Sequence, residues 1–130
     1  QHALLSLMCV YGIELLADNA AECRTNMLDT LFAYLGNSVG DEWFRAAQVV
    51  VEANIGQGDA LAMTTTDGKP LTFAEWGYLG KGKFQRRDFQ YEALTGRSSI
   101  AGTLFELLEE EDLFKPTKTY APMTVSELGR

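Results

Sequence analysis

Residues 3–17, ALLSLMCVYGIELLA, are apolar almost all round. Only Ser6, Glu14 and Asp18 mark a polar edge at helical spacing. A helix of that kind has to be covered on most of its sides, and a chain of 130 residues has few elements with which to cover it. Neither targeting nor membrane insertion accounts for the stretch. A signal peptide needs a positive n-region, and no Lys or Arg precedes residue 3. A membrane span needs about 20 apolar residues, and Glu14 interrupts the run. The expectation is a helix buried in the fold or covered by a partner, with self-association through this helix as one source of cover.

Two further helices follow. Asp18-Asn19 offers a cap. From Ala20 to Leu35 the apolar positions Cys23, Met27, Leu28, Leu31, Tyr34 and Leu35 keep a helical period. Glu22, Asn26 and Asp29 lie on the other side, and Gly36-Asn37 supplies a stop. Asp41 opens the third helix, with Asp41 and Glu42 set against its N-terminal dipole. Trp43, Ala47, Val50 and Val51 make one face, and Asn54 and Gly56 end it. The run Val49–Val51 lowers helix propensity, but the pattern around it favours helix over strand.

Between residues 57 and 83 the chain reads as a connector. Asp67-Gly68 is a turn signal after a threonine run, which predicts a short hairpin of Leu61–Thr66 against Leu71–Phe73. Thr72-Phe73-Ala74-Glu75 has capping-box spacing and predicts a short helix through Trp76 and Tyr78. Gly80-Lys81-Gly82-Lys83 then reads as a linker. The glycines match neither a Walker A loop nor a dinucleotide fingerprint.

Charge is unevenly spread. The chain carries a net charge of −7, which argues against general binding to phosphate backbones. Residues 1–78 hold Arg24, Arg45 and Lys69 against ten carboxylates, whereas residues 79–130 hold eight basic and eight acidic residues. Within 79–100, Lys81, Lys83, Arg86, Arg87 and Arg97 face only Asp88 and Glu92. The basic stretch coincides with a predicted helix from about Phe84, a turn at Thr95-Gly96 and a second helix from Ser98 with Ile100, Leu104, Leu107 and Leu108 buried. Pro116 and Pro122 stop further helix, so 117–125 is expected to be extended and 126–130 loose.

Leu104 and Leu107 followed by Leu113-Phe114 resemble the end of the recognition helix and the entry to the wing in winged-helix regulators. That resemblance implies a second helix entering the major groove. Arg97, Ser98, Ser99 and Thr103 would then lie near base edges, Arg86 and Arg87 on flanking phosphates, and Lys115 and Lys118 on the wing. The acidic run Glu109, Glu110, Glu111 and Asp112 is a candidate docking site for a basic protein partner.

Catalytic chemistry finds little support. His2 is the sole histidine and sits at the start of the chain, which removes most Ser/His, Cys/His and His-ligated metal mechanisms. Cys9 and Cys23 are too few for a tetrahedral zinc site and read as reduced cysteines of a cytoplasmic protein. Trp43, Trp76, Tyr78 and Phe73 provide an alternative, an aromatic-lined pocket for a small molecule.

The resulting expectation is one mainly α domain over 1–130, α+β only through a small hairpin or wing. A three-helix portion at 1–56 leads through the 57–83 connector to a winged-helix-like helix-turn-helix unit at 84–125. The expected function is a non-catalytic regulatory or accessory binding protein without cofactor, contacting nucleic acid through the basic face. An acidic helical adaptor or dimerisation domain and the small-molecule domain are its rivals. No membrane association is expected.

Overall fold

A computed structural model of the protein describes residues 1–36, 40–90 and 115–130. Helix α3, Asp41–Asn54, is the centre of the arrangement. Asp41 and Glu42 occupy its first turn, where carboxylates complement the helix dipole. Ala46, Ala47, Val50, Val51 and Asn54 form its buried face. Helix propensity disfavours the valine run by only a few tenths of a kcal/mol per residue. Burial of Val50 and Val51 in the core outweighs that, because each removes more than about 1.5 kcal/mol of apolar surface from water.

Three other elements complete the core against this face. Helix α1, His2–Met8, contributes Leu4, Leu7 and Met8. Strand β4, Lys83–Gln90, contributes Phe84, which is fully buried. Helix α4, Val125–Leu128, contributes Leu128. The small side chains of α3 let the chain after α4 come close: a Cβ on Gly129 would sit 2.9 Å from Arg45 Cβ and 3.0 Å from the Ala46 nitrogen. Helix α2, Ala17–Leu35, adds Met27, Leu28, Leu31 and Phe32, which are only partly buried. Gly36 ends α2 with φ of 65°, a conformation glycine adopts without a Cβ penalty.

Two sheets accompany the helices. Strand β1, Gly12–Glu14, pairs in parallel with β2, Ile55–Gln57, which directly follows α3. Arg24 of α2 reaches over and donates from Nε (3.0 Å) and Nη2 (2.6 Å) to the Ile55 carbonyl. The larger sheet pairs β3, Thr72–Gly80, antiparallel with β4. The other edge of β4 carries β5, Lys118–Thr119, and β6, Met123–Thr124, along separate stretches. Its inner face, with Ala74, Phe84 and part of Trp76, lies toward the helices.

Asn54 joins the layers. It is 1% exposed. Its amide nitrogen donates to the carbonyls of Met8 (3.2 Å) and Val10 (3.1 Å), with Leu7 O at 3.5 Å. Its carbonyl oxygen accepts from Trp76 Nε1 at 2.8 Å. One side chain thus holds the end of α1, the end of α3 and the middle of β3.

This architecture corrects the expected one. The described residues form an α+β structure of four helices and two sheets, not a mainly α chain with a winged-helix half. Residues 3–17 are not one helix: α1 stops at Met8, and the chain turns into β1. The Asn54 bonds capture the carbonyls at the break, and Tyr11 donates its hydroxyl to Ala74 O at 2.7 Å. Burial pushes the Tyr11 hydroxyl above its usual 10.0, so it stays a neutral donor.

Thr72–Glu75 does not start a helix, and the stretch from Phe84 is not one either. Both belong to the β3–β4 ladder, where Trp76 pairs with Arg86 and Tyr78 with Phe84. The expected linker at 80–83 is the tight turn of that hairpin, with positive φ at Gly80, Lys81 and Gly82. The Asp67-Gly68 turn is present, but the strands around it reduce to single bridges, Asp59 with Thr64 and Thr64 with Pro70. The extended segment expected at 117–125 contains β5 and β6. The tail expected to be loose instead holds a capping box. Thr124 Oγ1 accepts from the Glu127 amide at 3.3 Å, and the Glu127 carboxylate accepts from the Thr124 amide at 2.9 Å. Among the described residues no helix is long and apolar enough to cross a membrane.

Two outcomes follow from these bonds. Asn54→Ala strands buried carbonyls and the Trp76 indole, and is expected to cost roughly 3 kcal/mol in urea unfolding. Trp76→Phe costs less, and a double-mutant cycle gives a coupling of about 0.5 kcal/mol or more. The Thr124 amide and hydroxyl bonds hold the Glu127 carboxyl below its usual 4.5. A folded pKa below the unfolded one means that the bonds stabilise α4 at neutral pH and lose this effect as pH falls through the folded value. Thr124→Ala should move the Glu127 titration, followed by its carboxyl carbon shift, upward toward 4.5.

Candidate functional site

The two arginines of β4 do not share a face. Arg86 and Arg87 are neighbours on a strand, so their side chains project to opposite sides of the sheet. Arg86 lies on the inner face. Its guanidinium donates to Asp88 from Nε at 2.7 Å and Nη2 at 3.2 Å. It also stands 5.5 Å from the Trp76 ring centre and 4.8 Å from that of Tyr120. The Tyr120 hydroxyl donates to the same carboxylate at 3.2 Å. Lys118 Nζ sits 4.3 Å over the Tyr120 ring. This is a cation–aromatic ladder satisfied within the protein.

Arg87 lies on the outer face and pairs with Glu75 at 2.7 Å. Lys115 is exposed beyond the sheet. Arg97, Ser98, Ser99 and Thr103 lie outside the described residues, as do Glu109, Glu110, Glu111 and Asp112.

Three of the four aromatics of the proposed pocket have separate partners, and the fourth lies elsewhere. Trp76 is bonded to Asn54. Phe73 meets Tyr11 edge-on at 5.7 Å. Tyr78 packs on Phe84 at 5.3 Å and accepts the Gly82 amide at 3.1 Å. Trp43 lines a cavity between the helices.

Among the described residues, an open apolar surface lies between α1 and α2. Helix α2 has 19 residues, yet Ala20 is its one buried residue. Its positions Cys23, Met27, Leu31 and Tyr34 lie at spacings of four, four and three, one stripe of a helix. They face Ala3, Leu7 and Val10 of α1 and the turn after it, across a groove of about 760 Å³. Tyr34 at its end is 86% exposed. A second cavity of about 270 Å³ shares Ala3 and Leu31 with the groove and reaches Trp43 and Ala47 of α3.

Polar groups are set along one wall: Asn19, Glu22, Asn26 and Thr30. The α2 stripe was readable as apolar in the sequence, but nothing there marked it as half uncovered. The signal that pointed toward it was the excess apolar surface of residues 3–17.

Other chemistry is sparse. Cys9 and Cys23 are free and exposed, and Cys23 lines the groove. Among the described residues, no three His, Cys, Asp or Glu side chains converge as a metal ion would require. Compared with known protein families, curated proteins and solved structures, the chain matches none.

The two arginines predict opposite behaviour. The Arg86 and Asp88 side chains are 23% and 13% exposed, whereas those of Arg87 and Glu75 are 45% and 49% exposed. Arg86→Ala leaves Asp88 half-paired in a dry setting and is expected to cost about 2 kcal/mol in chemical unfolding. Arg87→Ala should change stability by less than about 0.5 kcal/mol.

Proposed function

We propose that this chain is a non-catalytic, acidic binding module, an adaptor whose working surface is the groove between α1 and α2. One observation carries the reading: the 19-residue α2 buries a single residue while its apolar stripe lines an open groove. Leaving such a stripe in water is unfavourable by roughly 25 cal/mol per Å², and exposed apolar patches rimmed by polar groups mark interaction sites.

The groove's shape favours a macromolecule. Small-molecule sites bury most of their ligand's surface. This groove instead runs along α2 from Asn19 to Tyr34, a length of about 22 Å at 1.5 Å per residue. Tyr34, Leu31 and Met27 offer the aromatic and flexible apolar anchors that dominate binding energy at protein interfaces.

Self-association is a second reading. Val10, Leu15 and Leu16 are exposed in the segment whose apolar excess first suggested it. The free thiols of Cys9 and Cys23 support a reducing, cytoplasmic setting for either form.

Photo-crosslinking from two positions tests the proposal. Thr30 lines the groove, and Gln85 lies in the sheet. A crosslinker at Thr30 should capture a distinct protein, and Tyr34→Ala should weaken that capture by about tenfold. Stability should stay within about 0.5 kcal/mol, since the side chain is solvated. Capture from Gln85 alone would refute the groove as working surface, and capture of a second copy from Thr30 would favour self-association.

A further inference from the structure

We infer that the groove takes an amphipathic helix from a partner protein, about four turns long, whose apolar stripe carries Lys or Arg at one end. This rests on the groove reading above and adds the partner's class. The groove has the length of about 15 helical residues, and two helices form its walls, the setting in which a third helix packs by its apolar stripe.

Charge decides what that helix carries. Among the described lining residues Glu22 alone is ionised, and Asp18 stands one turn before it on α2. Arg24 points elsewhere, onto the Ile55 carbonyl. At the other end, Thr30, Leu31 and Tyr34 carry no charge. The groove is therefore acidic at the start of α2 and apolar at its end. A basic residue over Glu22 and a Leu, Met or Phe over Leu31 and Tyr34 match both ends.

A second copy matches poorly. Residues 1–56 hold Arg24 and Arg45 against seven carboxylates. Facing two such surfaces places like charges together, which opposes association.

The test uses the full chain as bait for a displayed library of 16-residue helical peptides. All members share an apolar stripe, and their flanking positions vary among Lys, Arg, Glu, Asp and Gln. The inference expects enriched sequences that are basic at one end. Their amide-shift footprint should cover Leu7, Met27 and Leu31. Glu22→Arg should weaken them by about tenfold, and binding should weaken with added salt.

Enriched peptides that are acidic or neutral, or that are indifferent to Glu22→Arg, while footprinting on the groove would overturn this inference and leave the groove reading standing. No enrichment over a Met27→Asp, Tyr34→Asp bait, or footprints on the sheet, would overturn both. A dimer in sedimentation that Tyr34→Asp dissolves would replace the partner helix with a second copy.

Discussion

The structure depends on one buried amide. Asn54 is almost fully enclosed, and burying an amide unpaired costs several kcal/mol. It therefore has to find partners, and those it finds tie the end of its own helix α3 to two other elements: the carbonyls at the end of α1 and the indole of β3. The side chain is polar, but its partners are specific in position as hydrophobic contacts are not. A Leu in its place would fill the volume and leave the end of α1 without a fixed place to stop.

Where α1 stops determines what the surface can do. A helix of residues 2–8 is about 10 Å long, whereas α2 with 19 residues is about 28 Å long. The short helix covers only part of the apolar stripe of the long one. Among the described residues nothing covers the remainder, toward Tyr34, and the groove follows that mismatch in length. β1 makes the shortening worthwhile: the residues taken from the helix pair with β2 and anchor the chain beside the end of α3.

That chain of causes explains which parts could be read from the residues alone. Helices α2 and α3 were legible, since each has an apolar stripe of clear period and stop residues at its end, Gly36 and Asn54. The break within residues 3–17 was not, because a run that is apolar all round has no period to lose. What ends α1 is a contact with Asn54, more than 40 residues away. The β3–β4 hairpin is not legible locally because two patterns coexist there. Thr72 and Glu75 have the spacing of a helix cap, and Ala74, Trp76 and Tyr78 alternate as a strand does. Cross-strand pairing with Asp88, Arg86 and Phe84 settles the matter, and a local window does not contain it. The capping box Thr124–Glu127 lies near the end of the chain, where fraying is the default expectation. The groove's residues were visible as a stripe, but its openness depends on the length of α1.

Strand geometry also redistributes the charge. In a helix, Arg86 and Arg87 would have stood near each other and near Lys118 on one basic face. In a strand they part, and each finds an internal partner, Asp88 for one and Glu75 for the other. Lys118 is drawn over Tyr120. Arg86 and Arg87 are thus each paired with a carboxylate within the sheet. The helical layer has no such balance. Asp18 and Glu22 line up on α2, while Arg24 turns away onto a backbone carbonyl that leaves its charge on the far side. Residues 1–56 hold Arg24 and Arg45 against seven carboxylates, and Glu22 of that set lines the groove. For the proposed partner helix, attraction to Glu22 and burial of the stripe would act at the same place.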